Sequence, residues 1–122
     1  MTVKLNDRAY EHAKRLIEQG KFIDDESDAW SDHHPSTRTE IKFIEENGFF
    51  EYSKWFLGVN DEYKENSRRH YESPYGDFEN VHCCGVLAAE SRAFDDEYFD
   101  ILNAAADLLA VIDRQARNKR AP

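Results

Sequence analysis

Glycine and proline are sparse in this chain and never cluster. The five glycines stand alone at positions 20, 48, 58, 76 and 85, and there are three prolines. A phosphate-cradling loop needs several glycines close together, so the P-loop and dinucleotide fingerprints are excluded. G-x-S-x-G, H-E-x-x-H and paired C-x-x-C motifs are missing as well. The two cysteines, Cys83 and Cys84, are neighbours. A bridge between adjacent cysteines strains the intervening peptide, so no disulfide framework is expected and a reducing cytoplasm fits. No apolar run approaches the ~20 residues of a membrane-spanning helix. The opening MTVKLNDRAYEHAK lacks a signal peptide's apolar stretch. Basic charge is also in short supply: 16 Lys and Arg face 25 Asp and Glu, a formal net charge of −9. Polyanions repel such a surface, which excludes direct nucleic-acid binding and adsorption to an anionic membrane.

What the chain does have is aromatic content, 13 % of 122 residues. That is too much for a disordered chain and enough for one modest core, so a single globular domain over 1–122 is expected. NDRAYEHAKRLIEQGK carries Ala9, Ala13, Leu16 and Ile17 on one helical face, with Asn6 placed to cap and Gly20 to terminate. FIDDESDAWSDHHPS has neither helical nor strand periodicity and five acids between Asp24 and Asp32. It is expected to be an acidic loop pinned by Phe22 and Trp30. Thr37 and Glu40 have capping-box spacing ahead of Ile41 and Ile44, and Gly48 offers a stop. Residues 54–73 suit a β-hairpin, with a short helix over 49–57 as the rival. A third helix is expected from Phe78, capped by Asp77, with Val81, Cys84, Gly85, Ala88 and Arg92 on its packing face. A fourth spans roughly 100–117, with Ile101, Ala105, Leu108 and Ile112 in register and basic residues Arg114, Arg117, Lys119 and Arg120 at the negative end of its dipole. The third and fourth should pair antiparallel. The expected class is α+β, predominantly α, with about four helices and a short hairpin.

Candidate sites are few. Glu79 and His82 form E-x-x-H, the spacing used by di-iron carboxylate bundles, but such bundles need two pairs and two further Glu. The single pair fits a surface contact better than a metal site. Cys83 and Cys84 beside His82 are consecutive, and consecutive helical residues fan ~100° apart, so both cannot meet one ion. Cys84 is expected in the core and Cys83 nearer the surface. Asp32, His33 and His34 fail as a joint ligand set by the same geometry, and DDESDAWSD lacks the central glycine of a calcium loop. Arg68 and Arg69 are expected to neutralise carboxylates. No metal and no cofactor are expected.

The run P-Y-G-D-F-x-x-V-H-x-x-G-x-L-A-A-E-S-R-A, Pro74 to Ala93, resembles an uncharacterised family of small bacterial proteins. W-F-L-G at Trp55–Gly58 and the closing helix are similar to that family too, and the helix pair is more weakly similar to small helical segments of tailed-phage head proteins. The resemblance implies no activity, cofactor or site residue. At Cys83 the family pattern would have a basic residue.

With no catalytic apparatus identifiable, the features favour a non-enzymatic accessory module that binds a protein partner or a second copy. Its surface is expected to draw on Trp30, Phe49, Phe50, Trp55 and Phe56, since aromatics are favoured at interface centres. One alternative is an acidic mimic of nucleic acid that uses carboxylates of 24–32 and 95–100. The other is a small enzyme or metal protein built on Glu79 and His82.

Overall fold

A computed structural model describes residues 3–26 and 28–120, with the side chains of Lys119 and Arg120 outside the described set. The fold is α+β and mostly helical. In order, the elements are β1 (Val3–Leu5), α1 (Asp7–Glu18), β2 (Phe22–Ile23), α2 (Trp30–His33), α3 (Thr37–Ser53), β3 (Phe56–Asn60), a 3-10 turn (Arg68–His70), β4 (Tyr71–Pro74), β5 (Val81–His82), α4 (Cys83–Asp95) and α5 (Phe99–Arg120). No helix among the described residues is long and apolar enough to cross a membrane.

The helices follow their apolar spacing. α1 buries Ala9, Ala13, Leu16 and Ile17. Gly20, at φ 82°, ends it in the left-handed conformation, while Gly20 and Lys21 donate to the carbonyls of Ile17 and Leu16. Asn6 precedes it but does not cap it; its amide donates instead to the carbonyls of Ser53 and Phe56. α5 presents Ile101, Ala104, Ala105, Leu108, Val111 and Ile112 to the core. It packs against α4, which buries the small residues Ala89 and Ala93, each at most 2 % exposed.

β3 lies between β1 and β4, antiparallel to both. The expected hairpin therefore forms. Its helical rival is realised one element earlier: Gly48 (φ 85°, ψ 169°) breaks α3, and a last helical turn runs to Ser53 before the strand starts. The cap of α3 is Ser36 rather than Thr37, with the Ser36 hydroxyl accepting from the Thr39 amide at 3.1 Å. Tyr52, Leu57, Tyr75, Val81 and Leu108 are the bulky interior of the core, each at most 1 % exposed. Burying such side chains is worth about 1.5–3 kcal/mol apiece.

The third helix starts five residues later than the sequence indicates. Asp77 caps a tight turn instead, its Oδ1 accepting from the amides of Glu79 and Asn80 at 3.0 and 2.7 Å, while Phe78 takes φ 70°. Gly76 bridges back to Val81, and Val81–His82 then pairs parallel with Phe22–Ile23. The delayed start rotates the packing face to Cys84, Gly85, Val86, Ala89 and Ala93. Arg92 is thereby left exposed, reaching out to Glu72 at 3.0 Å.

Candidate metal centre

The two-residue parallel ladder sets the site. Phe22 faces Val81 and Ile23 faces His82, so two steps further along both chains Asp25 stands beside Cys84. Asp25 Oδ1 accepts from the Cys84 amide at 2.8 Å, which satisfies a donor at the start of α4. Asp25 Oδ2 accepts from His82 Nδ1 at 2.7 Å and from His33 Nδ1 at 2.8 Å. Cys84 Sγ lies 3.7 Å from the same His33 nitrogen. One donor atom from each of Asp25, His33, His82 and Cys84 falls within a span of 4.8 Å.

His82 is held from its other side as well. His82 Nε2 donates to Asp77 Oδ2 at 2.8 Å. Carboxylates only accept, so with these contacts both nitrogens of His82 carry protons. Burial opposes that charge, but hydrogen bonds and charge from Asp77 and Asp25 prevail and raise the His82 pKa. For Asp25 burial again acts against the charged form; the Cys84 amide, His82, the Cys84 thiol and His33 outweigh it and lower its pKa strongly. The Trp30 ring packs 5.9 Å from His82 and against Gly85, where a Cβ would sit 3.0 Å from the indole.

A thiol, two imidazoles and a carboxylate form a borderline donor set, suited to Zn2+ and its neighbours and not to Mg2+ or Ca2+. Tetrahedral zinc with bonds of ~2.0–2.3 Å has ligand–ligand edges of about 3.3–3.7 Å. The sulfur–nitrogen edge already has that length. The two oxygen–nitrogen edges are shorter because protons on the imidazoles are hydrogen-bonded to the carboxylate. A metal-bound imidazole commonly donates its other N–H to a carboxylate, the relation of His82 to Asp77. Nucleophilic chemistry fits less well. Cys84 is fully buried, and burial followed by the Asp25 hydrogen bond and charge pushes its thiol up to about 12.

The E-x-x-H pair Glu79 and His82, read from the sequence as a surface contact rather than a metal site, is split between surface and interior. Glu79 is exposed on the turn before β5, whereas His82 points inward. Of the adjacent candidates one member of each enters: Cys84 without Cys83, and His33 without Asp32 or His34. Cys84 lies in the core and Cys83 is half-buried, its thiol pushed up to about 11 by burial and then by the charges of Asp24 and Asp25. Asp25 gave no individual signal in a run of five acids; only the β2–β5 register singles it out.

The exposed aromatic surface is corrected. Trp55 and Phe56 are core residues, Trp30 and Phe49 are half-buried, and only Phe50 is exposed, beneath the Arg8 guanidinium and the Lys54 ammonium. Phe94 (67 %) is the most exposed large apolar side chain among the described residues, and with Phe99 (59 %, equal to Phe50) it flanks the turn between α4 and α5. Arg68 does neutralise a carboxylate, that of Glu40, with Nη2 at 2.9 Å and Nε at 3.2 Å. No protein-family model matches this chain, and neither does any curated protein or solved structure.

Proposed function

We propose that this protein binds a divalent transition-metal ion, Zn2+ by donor type, through Asp25, His33, His82 and Cys84. The observation that supports this reading is the convergence of four donor atoms of three chemical kinds, from segments far apart in sequence, within 4.8 Å. All four positions are filled by protein, the usual condition of a structural zinc site. The ion's work is then to staple Asp25, just after β2, and His33, at the end of α2, to the start of α4, in an accessory protein rather than a catalyst. Zinc analysis of purified protein tests this: near-stoichiometric zinc is expected in the wild type and little in Cys84→Ser. Equal metal in both would overturn the assignment.

A second reading, attachment to a protein partner, is favoured by Phe94 and Phe99, exposed together with Asp95, Asp96 and Glu97. Pull-downs at low and moderate salt with wild type and a Phe94→Ser, Phe99→Ser double variant test it. A stoichiometric partner lost only in the variant supports this surface. The nucleic-acid mimic draws less support. Asp25 faces inward, and Asp100 Oδ2 accepts from the Leu5 amide at 2.8 Å, so neither joins an outward row of carboxylates.

A further inference from the structure

The four donors are not held equally. The side chains of Asp25 and His82 are 10 % and 7 % exposed and Cys84 is fully buried, whereas His33 is 40 % exposed. Each buried donor also has a second anchor. The free oxygen of Asp25 is fixed by the Cys84 amide, the free nitrogen of His82 by Asp77, and Cys84 by the core beneath the first turn of α4. His33 has none: its Nε2 meets no hydrogen-bond partner among the described residues. It rides on a single helical turn, and Ala29 gives that turn no side-chain cap. Outer partners of this kind commonly account for 10–100-fold in metal affinity, so the imidazole that lacks one is the weakest ligand.

We infer that His33 is an exchangeable ligand, which closes the solvent-facing position at rest and yields it to a small neutral azole, since the acidic surroundings repel anionic donors. This rests on the metal reading above. The step is a ligand substitution: the incoming lone pair takes the coordination position that the His33 Nδ1 lone pair vacates, and no electron changes hands. Asp25, His82 and Cys84 stay on the ion, so the centre becomes a three-ligand site with one open position, the arrangement through which zinc presents a bound molecule. The opening lies on the acidic-loop side, where His33 is the outermost donor.

Cobalt substitution of the full chain tests this with a readout independent of any activity. In the wild type, Co2+ should give the intense thiolate-to-cobalt band and tetrahedral visible bands at one ion per chain. His33→Ala removes an exposed side chain, and circular dichroism should show the fold unchanged. The variant should keep the thiolate band, and its metal affinity should fall about 10–100-fold less than that of His82→Ala, which loses the imidazole that Asp77 supports. Its visible bands should then shift saturably with added imidazole, at a concentration at least about ten-fold below that which disturbs the wild type. Loss of the thiolate band in His33→Ala while the wild type retains it would overturn the exchange, since His33 would then be an essential ligand. A retained band that imidazole does not move would overturn it too. If the wild type itself shows no thiolate band, the metal reading fails and the exchange falls with it.

Discussion

His82 Nε2 donates to Asp77 Oδ2 at 2.8 Å, on the opposite edge of the ring from the nitrogen that faces Asp25. Asp77 thus orients the imidazole of a proposed metal ligand without being a ligand itself. Its Oδ1 meanwhile accepts from the amides of Glu79 and Asn80. Asp77→Asn can keep the oxygen that holds the turn while putting an amide donor where His82 needs an acceptor. The expected result is a folded protein whose zinc affinity falls about 10–100-fold, measured by competition with a chromophoric chelator. Unchanged affinity would show that Asp77 serves only the turn.

Metal removal should act through stability. An ion bound only by the folded state contributes about 4 kcal/mol at a thousand-fold excess over Kd, a Tm rise of about 10–20 °C for a chain of this size. Wild type should lose that increment when a strong chelator is added. Cys84→Ser, lacking the buried sulfur donor, should melt at nearly the same temperature with and without chelator. A chelator-dependent Tm in Cys84→Ser would place the ion elsewhere.

His12 predicts a pH dependence separate from the site. Its Nε2 is buried without a hydrogen-bond partner, and its ring stands edge-on to Trp55 at 5.1 Å between centroids. Burial, followed by the charges of Lys54 and Arg15, lowers its pKa in the fold. The unfolded chain, near the ordinary value of about 6.5, therefore binds the proton more readily. The stability contribution is complete above that value and is lost as pH falls toward the lowered one. Wild type relative to His12→Phe should lose stability as pH falls below about 6.5, measured by urea unfolding at each pH. A difference that is flat with pH would contradict this account.

Gly85 separates the packing of the site from its ligands. A Cβ there would lie 2.6 Å from the Tyr75 carbonyl oxygen, a backbone atom with no freedom to give, and 3.0 Å from the Trp30 ring. Gly85→Ala should cost about 1–3 kcal/mol in denaturant unfolding. It should also weaken zinc binding, because Trp30 begins the turn that carries His33. Full stability in the variant would contradict this account, since both the Tyr75 backbone and the Trp30 ring would have to shift at no cost.

Periodicity carried much of the fold. The faces of α1 and α5 are built from Ala, Leu and Ile at helical spacing, and burial follows such spacing whatever the neighbours are. Gly20 and Gly48 mark real interruptions because only glycine enters positive φ at little cost. The start of α4 was less legible. Asp77 suits a helix cap and a tight turn equally well, and the choice was made by Val81 and His82 pairing with β2, a contact with a segment about sixty residues away in sequence. The aromatics show the same division. The sequence states how many there are, but whether Trp55 faces solvent or Tyr75 depends on what packs over it.

The site divides in the same way. Sequence argued that adjacent side chains cannot share an ion, and the cluster draws one residue from each adjacent set, Cys84 and His33. It also supplied an overall acidity that disfavours polyanions. It held no sign that the acidic loop and the start of α4 belong together, because Asp25 is chemically indistinguishable from the other carboxylates of its run. Only the tertiary structure decided that. A parallel ladder of two residues sets Asp25 opposite Cys84, and burial there gives one carboxylate of five a role that composition cannot assign.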